Sequence, residues 1–156
     1  MSQPPISHGH FTIERTYEAS PAQVFAAWAD PAAKARWFIG PQGWSLIRRE
    51  LDFRVGGEEL LHGRYDTRET VFRARFHEIV PDARIVYVYD MYMNETHHSL
   101  SLATVEVRVA RAGTTLTFNE QVAFLDGTDG IEGVASRQHG TGAHLDRLAN
   151  EWVKVR

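Results

Sequence analysis

Apolar and polar residues alternate between His10 and Tyr17, where Phe11, Ile13 and Tyr17 are separated by Thr12, Glu14 and Thr16, and this period of two predicts a half-buried strand. Residues 1–9 carry two prolines and no periodicity, and are expected to form a flexible tail ahead of one domain spanning 10–156. Ser20-Pro21-Ala22-Gln23 offers an N-cap serine, a proline at the first helical position and a glutamine placed to close a capping box. A helix starts there, with Val24, Phe25 and Trp28 on its apolar face. Asp30-Pro31 repeats the cap-then-proline signal for a second short helix, which Gly40-Pro41 ends. From Trp44 the pattern is that of strands again, over 44–53, 54–66, 70–80, 83–92, 98–110 and 113–125. Turn chemistry at Val55-Gly56-Gly57, Asp66-Thr67, Pro81-Asp82, Asn94-Glu95 and Ala112-Gly113 separates them. In Phe72-Arg73-Ala74-Arg75-Phe76-His77 one face is apolar and the other basic, and Ile85, Tyr87, Tyr89 and Met91 continue the apolar face. One side of the sheet is therefore wet and the other covered.

The cover is the last segment, where Leu145, Leu148 and Trp152 recur at helical spacing and Gln138 and Thr141 extend the stripe towards its start. Gly133, Gly140 and Gly142 interrupt it, and each glycine inside a helix costs about 1 kcal/mol relative to alanine. Either the helix runs through them, thinned by small residues so that a space is left above the sheet, or it begins only after Gly142 and the glycines belong to a loop. Strands in succession with helices at the ends make an α+β domain, with about seven antiparallel strands in the order β-α-α-β6-α.

Local stretches add to this pattern. Thr16-Tyr17-Glu18-Ala19-Ser20-Pro21 enters the first helix, Ala27-Trp28-Ala29-Asp30-Pro31 leaves it, and Arg36-Trp37-Phe38-Ile39-Gly40-Pro41 follows. With Asp52-Phe53-Arg54-Val55-Gly56-Gly57 and Gly113-Thr114-Thr115-Leu116-Thr117, they make a chain that resembles the START-like (Bet v 1-like, SRPBCC) superfamily over nearly all of 10–156. Within it, the chain resembles the heat-shock-protein-90 ATPase activator homologue family. The resemblance implies a helix-grip fold, a curved sheet wrapped around a long C-terminal helix with the first and last strands adjacent. Domains of this kind serve as lipid carriers, hormone receptors, cyclases and chaperone partners, so the fold does not choose among functions. The closing helix departs from the family pattern: His139-Gly140-Thr141-Gly142-Ala143-His144 stands where relatives carry a Gly-Trp pair and a leucine repeat. The activators that give the family its name carry a separate N-terminal domain, for which this chain is expected to have no room.

The candidate ligand-binding set on the covered face is aromatic: Trp28, Trp37, Phe38, Trp44, Phe53, Tyr65, Phe72, Phe76, Tyr87, Tyr89 and Phe118, with Met91 beside them and Phe124 as a further ring. Gln138, Thr141 and Leu145 join it from the helix, and His62, alternating with Leu60, is read as a polar group of the pocket or a satisfied core residue. Tyr87 and Tyr89 combine an apolar body with a hydroxyl that needs a partner once buried, which is how an apolar pocket orients what it binds. Arg15 lies between Ile13 and Tyr17, and Glu120 between Phe118 and Val122, so both charges fall on apolar faces. If the first and last strands are neighbours the two are expected to pair, because an unpaired buried charge is too costly. No catalytic set is assigned; Tyr87, His62 and Glu120 are the candidates for acid-base work. No nucleophile elbow, phosphate-cradling glycine loop or dinucleotide fingerprint occurs. No metal site is expected: His97 and His98 are adjacent and point to opposite faces, His139 and His144 are five apart, and there is no HExxH.

Composition narrows the classes. No apolar run reaches the roughly 18 residues of a membrane span, and Met1-Ser2-Gln3-Pro4-Pro5 lacks the features of a secretion signal, so a cytoplasmic location is expected. Without cysteine there are no disulfides, thiolate nucleophiles or cysteine-held metals, and no cofactor is implied. A net charge of −3, with Arg48-Arg49 the only adjacent arginines, argues against nucleic acid as a partner. Sheet edges leave room for a homodimer. The leading reading is a binding protein for a small hydrophobic or amphipathic molecule held between sheet and helix. A pocket enzyme of the cyclase, dehydratase or aromatase type is the second. The third is a chaperone ATPase-regulating module working through the outer row Arg73, Arg75 and His77.

Overall fold

The computed structural model describes residues 3–152. In chain order the elements are β1 (Ser7–Tyr17), α1 (Pro21–Ala29), α2 (Pro31–Trp37), β2 (Trp44–Leu51), β3 (Glu58–Tyr65), β4 (Arg68–Val80), β5 (Arg84–Met93), β6 (Thr96–Ala110), β7 (Gly113–Phe124) and α3 (Gly130–Leu148), with a short 3₁₀ turn at Ala149–Glu151. The strands form one antiparallel sheet in the order β1-β7-β6-β5-β4-β3-β2, and α3 lies across its concave face against β1 and β7. This is the α+β domain that the pattern of strands and helices predicts, in the helix-grip arrangement that the resemblance implies.

Each helix begins where its caps dictate. Ser20 Oγ accepts from the Gln23 amide at 3.2 Å while Gln23 Oε1 accepts from the Ser20 amide at 2.9 Å, which closes the capping box. Asp30 ends α1 with its amide on the Ala26 carbonyl and starts α2 with its carboxylate on the Ala32 amide, so one residue turns the chain between the helices. The Asn94-Glu95 turn between β5 and β6 has positive φ at both residues, 48° and 73°, the handedness that matches the twist of the flanking strands.

α3 runs unbroken through all three glycines, and each is small for a different reason. A Cβ on Gly133 would stand 2.6 Å from the Phe124 ring, and one on Gly142 would stand 3.3 Å from Arg15 Nη2. A Cβ on Gly140 would meet nothing within 4 Å. Two close contacts therefore bring the helix down onto the sheet, and between them one glycine faces open space.

The core is packed at the α1 and α2 end. The Trp28 and Trp37 rings meet edge to face at 4.7 Å, Trp37 Nε1 donates to the Ala27 carbonyl, and Tyr17 Oη donates to the Leu145 carbonyl at 2.7 Å. Leu145 and Leu148 are fully buried beneath α3. Phe53 and Phe76, expected in the ligand-binding set, belong to this packing instead: their rings meet at 5.0 Å, Phe25 closes on Phe53 at 5.7 Å, and neither lines the cavity described below.

Two further expectations are corrected. The first strand begins at Ser7, inside the segment read as tail, because backbone pairing from Ser7 to Phe124 needs no apolar side chains and Gly9 lets Val134 pack directly on the strand. β1 and β7 are neighbours, yet Arg15 and Glu120 do not pair. Arg15 stands opposite Leu116 and Glu120 opposite Phe11, four residues or about 13 Å apart along the ladder. Each finds its partner on α3: Arg15 Nε donates to Asp146 at 2.8 Å, and Arg137 meets Glu120.

The glycine contacts make a stability prediction. Gly133→Ala should lower unfolding free energy by about 1–3 kcal/mol by forcing Phe124 aside, whereas Gly140→Ala should raise it by about 0.5–1 kcal/mol through helix propensity alone. Urea unfolding of the two variants checks both signs.

Candidate functional site

Between the sheet and α3 lies a cavity of about 640 Å³, within the range of small-molecule sites. Its lining comes from every layer of the fold. Trp28 from α1 and Trp37 from α2 close one end, Phe38 and Trp44 flank the loop between them and the sheet, and Tyr65, Phe72, Tyr87, Tyr89, Met91 and Phe118 face in from the strands. Thr141 and Leu145 look down from α3 beside Gly140. These residues of the expected set share one hollow, and Glu120 shares it with them.

Two of the expected residues stand elsewhere. His62 is on the outer face, 3.6 Å from Glu69, because it is Leu61 and Gly63 that face inwards on β3. Gln138 is exposed: at 100° per residue it is turned one step round from Arg137, and the inward row is Gly133, Arg137, Gly140 and His144. Arg73, Arg75 and His77 are exposed on the convex side, where alternation puts them.

The polar groups of the cavity gather at two poles. At the first, Arg137 crosses from α3 and uses both guanidinium arms. Nη1 donates to Tyr89 Oη at 2.7 Å and Glu120 Oε2 at 3.1 Å, and Nη2 donates to Ser99 Oγ at 2.7 Å. Tyr89 Oη and Ser101 Oγ each donate to Glu120 Oε2 at 2.8 Å. Burial raises the Glu120 pKa against the pull of Arg137 and these hydrogen bonds, and burial holds the Tyr89 phenol well above its ordinary range, so it stays a donor. Glu120 is wholly buried and its second oxygen, Oε1, has no partner among the described residues. Trp28 Nε1 is a buried donor in the same position. Tyr87, between the poles, is held protonated by burial and by the nearby Tyr89, Glu120 and Glu59.

At the second pole Lys34 of α2 lies buried against Glu59 of β3, Nζ to Oε1 at 3.0 Å. Its ammonium sits within 4.8 to 5.4 Å of the Trp28, Trp37 and Phe38 ring centres. Burial pulls its pKa down against the attraction of Glu59. The pair and its aromatic cage are absent from the expected site, since a lysine among alanines on a short helix carries no sign of a carboxylate 25 residues away. His144 borders the same end, its Nε2–H donating to the Ile39 carbonyl at 3.0 Å. Burial, helped by Arg147 and Lys34, lowers its pKa to about 4.

His98 and Arg137 are the other residues that sequence reasoning misses. The signal for Arg137 is present, because it precedes Thr141 and Leu145 at intervals of four along one helical face. His98 could not be found by alternation, which assigns it to the outside. Among the described residues no three histidine, aspartate or glutamate side chains converge as metal ligands, and no helix is long and apolar enough to cross a membrane.

Comparisons with known proteins agree with this architecture. The family model described as Activator of Hsp90 ATPase homolog 1-like protein matches residues 18–152. A solved structure of the Mll3558 protein from Rhizobium loti is 43% identical, with TM-score 0.84 over 94% of this chain and 99% of that one. A putative uncharacterized protein from Rhizobium leguminosarum is 39% identical, with TM-score 0.85 over 93% and 94%. An AHSA1-like protein from Aeromonas hydrophila, 22% identical over 91% and 90% with TM-score 0.67, shares the fold. No curated protein matches.

Two outcomes follow from the polar groups. Arg137→Met should cost about 3–5 kcal/mol by stranding Glu120 in the core, and adding Glu120→Leu should restore most of it, as thermal and urea unfolding will show. His144 binds its proton less readily folded than unfolded, so its contribution is whole above about pH 6.5 and is lost as pH falls towards about 4. The loss should reach roughly 3 kcal/mol, and His144→Gln should flatten the stability profile in that window.

Proposed function

The chain belongs to the Activator of Hsp90 ATPase homolog 1-like family, and from that premise we propose that it binds a small hydrophobic or amphipathic molecule in the cavity between sheet and α3, acting in the cytoplasm. The fold commonly holds ligands of this kind. The observation that carries the reading is the hollow itself: about 640 Å³ bordered by the rings of three tryptophans, three phenylalanines and three tyrosines, with Gly140 of α3 at its border.

Affinity comes from withdrawing apolar surface from water, at about 25 cal/mol per Å². Orientation comes from the few polar groups left with capacity, Glu120 Oε1 as an acceptor, Trp28 Nε1 as a donor and the Tyr87 hydroxyl. A ligand of mainly hydrocarbon character with one or two oxygen or nitrogen substituents satisfies both demands. A highly charged ligand does not, because Lys34 and Arg137 already have carboxylate partners.

Binding of the fluorescent probe N-phenyl-1-naphthylamine should be saturable in the unmodified protein and weakened at least about tenfold in Gly140→Phe, whose ring occupies the hollow. Native mass spectrometry of protein from its own host should reveal a retained small molecule. A probe that binds Gly140→Phe equally well would place binding outside the cavity.

A further inference from the structure

His98 occupies an irregularity in the sheet. Met91 of β5 pairs with Ser99 and Tyr92 with His97, so His98 is the extra residue of a bulge on β6. Regular alternation would turn it outwards with Leu100 and Leu102, which are 41% and 40% exposed. The bulge instead leaves both His98 and Ser99 buried, and His98 joins the cavity wall. Bulges re-aim side chains in this way.

The imidazole is held from behind. His98 Nδ1 is 2.7 Å from Asp126 Oδ2, and Asp126 Oδ1 accepts from the Thr128 amide at 3.1 Å and from Thr128 Oγ1 at 2.6 Å. Burial alone would raise the Asp126 pKa, but the hydrogen bonds from His98 and Thr128 outweigh it and keep the carboxyl at about 2. An ionised carboxylate only accepts, so in the neutral imidazole the hydrogen belongs on Nδ1 and the lone pair on Nε2. Nε2 meets no donor or acceptor among the described residues and is not sealed in the core. The charged groups around it are Asp126 from the loop after β7, with Arg137 and Glu132 from α3 on the same cavity wall. Arg137 and His98 pack on one ring, their distances to the Phe124 centre being 5.7 and 5.4 Å.

We propose that His98, positioned by Asp126, is a general acid-base residue that moves a proton on a small, mainly apolar carbonyl compound bound in the cavity. This rests on the binding reading above and adds chemistry to it. A neutral imidazole removes a carbon-bound proton only where a neighbouring carbonyl acidifies it. In the step, the C–H bond next to the carbonyl breaks and its electron pair becomes the C=C bond of an enolate. The carbonyl π pair moves to oxygen, and Nε2 takes the proton. Asp126 stabilises the imidazolium so formed, and return of the proton to the same or a conjugated carbon gives exchange or isomerisation. Nothing is oxidised or reduced.

The test uses 2-tetralone in D₂O with the full chain, following loss of the α-hydrogen signals by ¹H NMR and measuring binding separately by saturation-transfer NMR. Exchange of the bound ketone should exceed the buffer rate by about 100-fold or more. His98→Gln should still bind and fall to within about threefold of buffer, while His77→Gln on the outer face should exchange at the unmodified rate. Asp126→Asn should lose most of the enhancement, with ¹⁵N NMR showing the His98 hydrogen moved from Nδ1 to Nε2, which a purely structural role would not produce. A ketone that binds but exchanges at the buffer rate, or as fast in His98→Gln, overturns the proton-transfer proposal and leaves cavity binding standing. A ketone that does not bind at all overturns the carbonyl proposal, while the N-phenyl-1-naphthylamine titration decides the binding reading separately.

Discussion

Arg137 reaches down from the middle of α3 and ends 3.1 Å from the carboxylate of Glu120, in the floor of the sheet. Neither charge is tolerable alone at that depth, so the helix and β7 are committed to one another. Tyr89, Ser99 and Ser101 complete the arrangement by accepting from the guanidinium, and Tyr89 and Ser101 also donate to one oxygen of the carboxylate. Because a guanidinium is long, it ties helix to sheet across a gap that direct apolar packing would have closed. The cavity depends on this distance being held.

The glycines act with the arginine. Gly133 lets the Phe124 ring come up against the helix backbone and Gly142 makes room for Arg15, so α3 is seated closely at both points. Gly140, between them, has no neighbour within 4 Å of the position a Cβ would take. A helix pinned at two places and cut back at a third covers the sheet without filling the space beneath it. The helix-propensity cost of these glycines, about 1 kcal/mol each, is offset at Gly133 and Gly142 by packing and at Gly140 by nothing visible in the fold itself.

Charge inside the hollow is balanced in pairs, Lys34 with Glu59 and Arg137 with Glu120, at opposite ends. The interior is therefore polar at its ends and close to neutral, with rings between. The same interior holds His98 on its wall with an ionised carboxylate behind it, an arrangement that packing alone does not require.

Much of this was written in local pattern. Alternation over Phe72–His77 and from Ile85 to Met91, the capping signals at Ser20 and Asp30, and the turns at Asn94-Glu95 and Ala112-Gly113 depend on neighbours in sequence, so the order of elements and the apolar face of each strand followed from the chain alone. The same periodicity brought Tyr87, Tyr89, Phe72 and Phe118 to one side. Tertiary structure decided what lies across gaps in sequence. It chose α3 and not the adjoining strand as partner for Arg15 and Glu120, drew Lys34 to Glu59, turned His62 outwards and Gln138 into solvent, and used a one-residue bulge to bring His98 in. Periodicity states which way a side chain faces only while the register is regular, and it never states which distant charge waits on the other side.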